Sequence, residues 1–233
     1  MNTQDLVYTA DSSRLPVGPV PGAPIDFAIA ESNHRIANNL ALLISSISLR
    51  ASDVVRHPRT YRAEDVSLML GEISARLASV AWLHRFLSQK PSGDLLDLNG
   101  HLYELCETLV SALSHPERVM LERSGAGACR VTSAEVVPVC LIVTEVVTNS
   151  LKYAHPTGVA GRLSVGCRSD SHGGLVIEVS DDGIGLPEDF DPATGGGIGS
   201  RTIRVLARQL GAATEYENRG CGLTFRLRLP PRD

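Results

Sequence analysis

The chain has few aromatic residues and no strong excess of either charge. Aromatic residues make up 4% of the 233 residues and hydrophobic residues 43%, so the core is expected to be mainly aliphatic. The formal net charge of −4 gives no global attraction to nucleic acid or to an anionic membrane. Nucleic-acid binding therefore has no support beyond scattered arginines.

The chain also has no cysteine cluster and no long apolar run. The five cysteines include no C-x-x-C pair; they are Cys106, Cys129, Cys140, Cys167 and Cys221. This spacing argues against a zinc site and a disulfide framework, and favours a reducing compartment. No apolar run approaches the roughly 18 residues that span a bilayer, and no basic-then-apolar signal peptide begins the chain. We therefore expect a cytoplasmic protein without a membrane span.

The N-terminal third is predicted to contain an irregular arm followed by a helical hairpin. Residues 1–24 are rich in proline and glycine and show little periodicity. Two apolar stripes with helical spacing follow within residues 25–91; they are Ile36, Leu40, Leu43, Ile47, Ala51 and Val54, and then Val66, Leu70, Ile73, Leu77, Val80 and Leu87. One hairpin has too little core to stand alone, so a homodimer that forms a four-helix bundle is expected.

Residues 95–233 are predicted to form a second, α+β domain. The stretch Pro91-Ser92-Gly93-Asp94 marks the boundary. Helices are predicted over residues 98–113, 132–154 and 199–210, and strands over residues 162–167, 175–179 and 223–229. Helices mixed with mostly antiparallel strands are typical of an α+β sandwich.

The first candidate site is the stretch E-S-N-H-R-I-A-N-N-L, residues 31–40. His34 is predicted to point away from the apolar stripe, with Glu31 and Asn38 one turn away on its own face. A neutral imidazole can act as a nucleophile, a nearby carboxylate could orient the ring, and Arg35 could contact a phosphate. The alternative is an ordinary solvated helix face.

The second candidate site is one face of the helix predicted over residues 132–154. Glu145, Asn149 and Lys152 are spaced i, i+4, i+7 and so share that face. The amide oxygen of Asn149 is a suitable ligand for Mg²⁺, Lys152 can balance phosphate charge, and Glu145 can act as a base. The alternative is a mixed-charge surface.

Two glycine motifs complete the candidate sites. A strand runs directly into D-x-G-x-G at residues 181–185, where Asp181 could accept a hydrogen bond from an exocyclic amine such as that of adenine. The glycine-rich stretch 194–200 precedes a helix, and such backbone can bind phosphate. It is not a Walker A motif, because no G-K-[ST] follows. An aspartate-rich turn and a common glycine loop are the alternatives.

In this order, the four clusters resemble the H, N, G1 and G2 boxes of two-component sensor histidine kinases, close to the HWE group. The resemblance covers roughly residues 25–229, and the second domain resembles the Bergerat-type ATP-binding α/β sandwich. It implies that His34 is the phosphoacceptor, that Asn149 binds Mg²⁺ beside the base Glu145, and that Asp181 contacts adenine. The other implied residues approach phosphate or shape the pocket and lid: Lys152, His155, Gly183, Gly185, Gly197 and Gly199.

The sequence departs from that family in several places. Ala37 stands where many relatives carry lysine, and the sole tryptophan, Trp82, lies outside the nucleotide domain. The lid, about residues 187–196, is short, with Phe190 as the only candidate for a phenylalanine box. No sensor domain precedes the hairpin, so a separate sensor protein acting in trans is expected.

The resemblance implies an ATP- and Mg²⁺-dependent protein histidine kinase. It would autophosphorylate His34 and pass the phosphoryl group to an aspartate of a response regulator receiver domain. One alternative is a histidine phosphotransferase or response-regulator phosphatase on the same fold. The other is a nucleotide-switched partner-binding module.

Overall fold

The protein is described by a computed structural model. It describes residues 62–88, 95–114, 118–125, 127–155 and 159–231, together with eight helical residues between 41 and 55. These eight are Ala41, Ile44, Ile47, Ser48, Ala51, Ser52, Val54 and Val55. The predicted irregular arm and the motif that contains Glu31, His34, Arg35 and Asn38 lie outside the described residues.

Four helices have defined bounds: α1 Ala63–Ser88, α2 Asn99–Leu113, α3 Ser133–Tyr153 and α4 Ile198–Gln209. The start of α3 follows from its sequence. The Glu135 carboxylate accepts the backbone N–H of Thr132 at 2.7 Å, which is one half of a capping box. The helices predicted over residues 98–113, 132–154 and 199–210 are confirmed to within a residue at each end.

The strands are β1 Leu96–Asp97, β2 Val119–Ser124, β3 Arg130–Val131, β4 Gly161–Ser169, β5 Leu175–Asp181, β6 Ala213–Asn218 and β7 Leu223–Leu229. Five of them form one sheet in the order β2-β4-β5-β7-β6, while β1 pairs with β3. Only β2 and β4 run parallel in the large sheet. Helix α2 contacts β2 and β4, α3 contacts β5, and α4 contacts β6. This arrangement confirms the expected α+β sandwich.

Helix α1 packs against α2 and α3, and its core-facing side belongs to the same hydrophobic cluster as theirs. Trp82, Leu83 and Phe86 are buried in that cluster. Part of the predicted apolar stripe lies outside that cluster, since Leu70 and Leu77 are 59% and 50% exposed. Helix α1 therefore has two apolar faces, and among the described residues only one of them is covered.

The expectation against a disulfide is wrong for one pair of cysteines. Cys129 and Cys167 form a disulfide that connects the residue before β3 to β4. They are 38 residues apart in sequence, but the fold brings their Cα atoms to 5.7 Å. Cys106, Cys140 and Cys221 are free thiols. Burial raises the pKa of Cys106 to about 12 and also raises the pKa of Cys140, so both buried thiols stay protonated.

No uninterrupted apolar run of about 18 residues was expected, but one described helix is long and apolar enough, by length and composition alone, to be a candidate membrane span. Helix α3 is 21 residues long and passes that test among the described residues. However, 72% of its most apolar window is buried inside the domain. This burial is what the core helix of an ordinary globular domain shows, so α3 is weak support for a membrane span.

Candidate active site

A cavity of about 750 Å³ lies where the C-terminal half of α3, the end of β5, the start of α4 and helix α1 meet. Seven of the residues predicted from the sequence line it: Glu145, Asn149, Lys152, Asp181, Gly185, Gly197 and Gly199. They come from three separate motifs. The fold brings these motifs together because α3 and α4 pack side by side and β5 ends beside them.

Asp181 is the last residue of β5 and is held by three hydrogen bonds. Its Oδ2 accepts from the hydroxyl of Ser150 on α3 at 2.7 Å. Its Oδ1 accepts from the backbone N–H groups of Gly183 at 3.1 Å and Leu223 at 3.2 Å. The carboxylate is therefore fixed in orientation at the cavity wall, where it can accept a hydrogen bond from a bound amine.

The turn after Asp181 depends on glycine and on a side-chain clamp. Gly185 has φ +74°, which disfavours other residues. The amide of Asn218 on β6 bonds Leu186 in both directions, accepting its N–H at 2.9 Å and donating to its C=O at 3.0 Å. Gly183 has a different role, because an added Cβ would lie 2.2 Å from the Ala154 carbonyl oxygen. It permits close packing on the end of α3 and is absent from the described cavity lining.

The glycine-rich loop leads directly into α4, with Gly197 as its N-cap residue. A Cβ at Gly199 would lie 2.6 Å from the Glu145 carboxylate, so glycine is needed for the close approach of α4 to α3. Arg204 on α4 holds the loop by donating to the carbonyls of Pro192 and Gly195, at 3.1 and 2.9 Å. The loop is thereby anchored to the helix that follows it.

An aromatic pair provides part of the cavity wall. Phe190 and Tyr216 both line the cavity and pack edge to face, with ring centroids 6.5 Å apart. Burial raises the pKa of Tyr216, so its phenol stays neutral at physiological pH. With Ile203 and Leu223, which also line the cavity, these rings offer an apolar surface beside Asp181. A planar heterocycle with a polar edge fits such a combination.

Two charged residues of α3 that line the cavity are paired with residues of α1. Glu145 accepts from Arg76 through both carboxylate oxygens, at 2.6 and 2.8 Å. Lys152 pairs with Glu72. All four side chains are at most 12% exposed. Both Glu72 and Arg76 also line the cavity, which makes α1 part of the site.

His155 is placed outside the cavity, contrary to its implied contact with phosphate. It is absent from the cavity lining in the described part of the chain. Its Nε2 lies 2.7 Å from Asp182 Oδ1, and its ring fills the space where Gly161 has no side chain. Burial alone would raise the pKa of Asp182, but hydrogen bonds from the Arg162 backbone and His155 outweigh that effect and lower it. His155 therefore joins the C-terminal end of α3 to the turn after β5 and to the start of β4.

Sequence reasoning missed four residues that shape this site: Glu72, Arg76, Arg204 and Asn218. The prediction for α1 concerned its apolar stripe alone, and Glu72 and Arg76 fall outside that stripe. Glu72 and Arg76 are spaced i, i+4 with opposite charges, but that spacing is also common on exposed helices. Neither Arg204 nor Asn218 carries a local signal, since Arg204 bonds backbone carbonyls of the preceding loop and Asn218 bonds a residue 32 positions away.

The residues that line the cavity are of types that suit a nucleotide bound together with Mg²⁺. No group of three or more His, Cys, Asp or Glu side chains that could hold a metal is found among the described residues. Mg²⁺ usually takes only one or two protein ligands and completes its shell with water and substrate phosphates. The amide of Asn149 and the close approach permitted by Gly199 fit that type of site.

Family models match both parts of the chain. Residues 31–113 match a model described as histidine kinase. Residues 134–233 match a model described as histidine kinase-, DNA gyrase B-, and HSP90-like ATPase. The second match contains α3, α4 and most of the cavity lining, and the first contains α1.

Individual relatives agree with the family models. The chain is 28% identical over 219 residues to blue-light-activated histidine kinase 2 of Erythrobacter litoralis, covering 88% of this chain and 58% of that protein. It is 24% identical over 208 residues to the sensor histidine kinase PdtaS of Mycobacterium tuberculosis, covering 88% of this chain and 40% of that protein. The chain thus spans about half the length of these curated relatives.

A solved structure shows the same architecture. The blue-light-activated histidine kinase of Erythrobacter litoralis superposes with a TM-score of 0.68 at 25% identity, over 92% of this chain and 62% of that one. The shared fold, the order of the motifs and the two family models lead to one conclusion: the chain belongs to the sensor histidine kinases, in the branch related to the HWE group.

Proposed function

We propose that the protein is an ATP-dependent protein histidine kinase that autophosphorylates His34 and then phosphorylates an aspartate of a response regulator. One observation carries the proposal. Asn149, Asp181 and the glycine-rich start of α4 line a single cavity, in a chain whose residues 31–113 match a histidine kinase model. The cavity supports the proposed nucleotide site, and the N-terminal match supports a phosphoacceptor within residues 31–113.

The proposed roles in nucleotide binding follow from the geometry of the cavity. Asp181 accepts a hydrogen bond from the adenine amine, beside the wall formed by Phe190 and Tyr216. Asn149 is the proposed protein ligand of Mg²⁺, and Lys152 balances phosphate charge. When bound, Mg²⁺ neutralises charge on the phosphates, which is most of what catalysis of phosphoryl transfer needs besides positioning.

The proposed reaction has two steps. The lone pair of the neutral His34 imidazole attacks the γ-phosphorus, the new N–P bond forms, and the bond to the bridging oxygen breaks to release ADP. In this proposal Glu31 orients the ring, Arg35 contacts the phosphate, and Asn38 is predicted to lie on the same helix face as His34 and Glu31. Glu145 is the proposed base, which accepts the remaining ring proton as the N–P bond forms. A carboxylate oxygen of the response regulator then attacks the phosphorus of phosphohistidine, the N–P bond breaks, and the imidazole takes up a proton to regain its neutral form.

The proposed assembly is a homodimer that recruits a receiver domain to the hairpin. The exposed apolar residues of α1 support dimerisation, because a second copy would cover them. We place the reaction in the cytoplasm, where ATP is available.

Labelling with γ-labelled ATP and Mg²⁺ tests the proposal directly. His34→Gln is expected to abolish incorporation of label but to leave nucleotide affinity unchanged. His84→Gln is the matched control, because His84 is an exposed histidine of α1. A His34→Gln protein that incorporates label at the wild-type rate would show that another residue is the acceptor. Absence of label in the wild type would favour the phosphotransferase, phosphatase or binding-module alternatives.

A further inference from the structure

Two ion pairs of opposite polarity join α1 to the charged face of α3. Arg76 of α1 binds Glu145 of α3, and Glu72 of α1 binds Lys152 of α3. Glu72 and Arg76 are one helical turn apart, so both contacts come from the same face of α1. The pairs are complementary in sign as well as position. A shift of α1 by one turn would place like charges together.

The Arg76–Glu145 pair occupies the functional atoms of Glu145. Arg76 Nε donates to Oε1 at 2.6 Å, and a terminal nitrogen of its guanidinium donates to Oε2 at 2.8 Å. This two-point arrangement is among the stronger hydrogen-bonded ion pairs. Both oxygens bond one guanidinium, and the backbone of Gly199 lies so close to Oε2 that an added Cβ would be 2.6 Å from it. In this arrangement Glu145 cannot take a proton from an imidazole.

The Glu72–Lys152 pair reduces the positive charge that Lys152 offers to a ligand. Lys152 is the residue proposed to balance phosphate charge, and its ammonium is already neutralised by the Glu72 carboxylate. A bound polyphosphate would therefore meet less positive charge than the sequence predicts. Both residues of α3 with proposed charge-dependent roles thus have partners on α1.

We infer that Glu72 and Arg76 form a charge latch that holds the catalytic domain in an inhibited arrangement. The latch keeps Glu145 and Lys152 out of the reaction until α1 moves away from α3. Because both partners lie on one face of α1, a single rotation or withdrawal releases both together. The inference rests on the proposed kinase function for its effect on autophosphorylation. Its effect on nucleotide binding is independent of that function.

The latch also connects the two parts of the chain. Helix α1 lies in the segment that matches the histidine kinase model over residues 31–113, and α3 lies in the ATPase match. A change in the position of α1 would therefore alter the charge of the nucleotide cavity. A ligand shifts an equilibrium between two arrangements only to the extent that it binds one of them more tightly. A nucleotide whose phosphates need the charge of Lys152 would therefore favour the arrangement in which α1 has moved away from α3.

The test uses the full chain with a Glu72→Gln/Arg76→Gln double variant. Glutamine keeps the shape of Glu72 and leaves a shorter polar side chain at position 76, and the two substitutions remove both charges together. Ser74→Ala is the matched control, since Ser74 is an exposed residue on the same turn of α1. Titration with a Mg²⁺-bound ATP analogue is expected to show roughly tenfold tighter binding in the double variant, in the range typical of coupling between sites. The labelling rate is expected to rise by a similar factor.

A second variant keeps the test decisive if the double variant does not fold. Arg76→Lys retains the charge but cannot make the two-point contact, so a smaller increase in labelling rate is expected at an unchanged melting temperature. Folded variants with unchanged or weaker nucleotide binding and no faster labelling would overturn the latch. Failure of all proteins to incorporate label, with tighter binding in the double variant, would instead overturn the kinase function and leave the latch standing.

Discussion

Two aspartates of similar local structure show how position decides the role of a residue. Asp170, in the turn between β4 and β5, accepts the backbone N–H groups of His172 and Gly174, each at 2.8 Å. These hydrogen bonds lower the pKa of Asp170. Asp181 also accepts backbone N–H groups, but it stands at the other end of β5 and lines the cavity. Asp170 stabilises a turn, whereas Asp181 is available to a ligand.

This contrast provides a test of Asp181. Asp181→Asn removes the charge and one acceptor position, and hydrogen bonds to charged groups contribute about 1.5–3 kcal/mol. We expect the dissociation constant for a Mg²⁺-bound ATP analogue to rise by roughly 10- to 100-fold, measured by calorimetric titration. Asp170→Asn is the matched control and should bind as the wild type does. Equal affinity for both variants would remove the adenine contact from the proposal.

Among the structural elements, the loop closed by Cys129 and Cys167 has the largest effect on stability that we expect. It contains the whole of α3, the main core helix. Cross-linking a loop of this size reduces the entropy of the unfolded chain, and the usual contribution is about 2–4 kcal/mol. The disulfide therefore stabilises the helix that carries Glu145, Asn149 and Lys152.

Thiol titration checks the disulfide. Unfolded protein without reductant is expected to show three reactive thiols, from Cys106, Cys140 and Cys221, and five after reduction. Cys129→Ser should lower the free energy of unfolding by about 2–4 kcal/mol, as measured in urea without reductant. Cys221→Ser, at an exposed free thiol, should change it little. Five reactive thiols before reduction would show that the bond does not form.

Some strands were predicted from the sequence and others were not, because the strands differ in how many of their residues are buried. Strand β7, residues 223–229, alternates apolar and polar residues and was predicted with its observed bounds. Strand β6 is an edge strand with no buried residue, so its sequence has little alternation and it was missed. The parallel strand β2 was missed for a related reason, since none of its residues is fully buried.

Long-range pairings could not be predicted at all. The motifs with Asn149 and Asp181 were found because their residue types and local spacing indicate chemistry. The Cys129–Cys167 bond and the Arg76–Glu145 pair depend on where the chain brings distant residues together. Spacing along one sequence carries no information about that. The pairing of His155 with Asp182 likewise could not be predicted from the motif position of His155 alone.

At the scale of the whole molecule, the uncovered face of α1 predicts self-association. Leu70 and Leu77 lie two turns apart on that face and are 59% and 50% exposed. Leu70→Glu/Leu77→Glu is expected to convert a dimer to a single chain in light scattering, because it puts charge into the apolar contact. Val205→Glu is the control, since Val205 is a similarly exposed apolar residue on α4. A wild type that is already a single chain would contradict the proposed homodimer.

The position of Trp82 gives the molecule an intrinsic optical reporter. It is the only tryptophan in the chain and is 7% exposed. Its indole stacks on Phe86 at 5.2 Å and lies 6.1 Å from the His101 ring of α2. Fluorescence excited at the red edge of the absorption band therefore originates at the junction of α1 and α2. Any event that parts these helices would expose the indole to water and shift its emission to longer wavelength, without an attached dye.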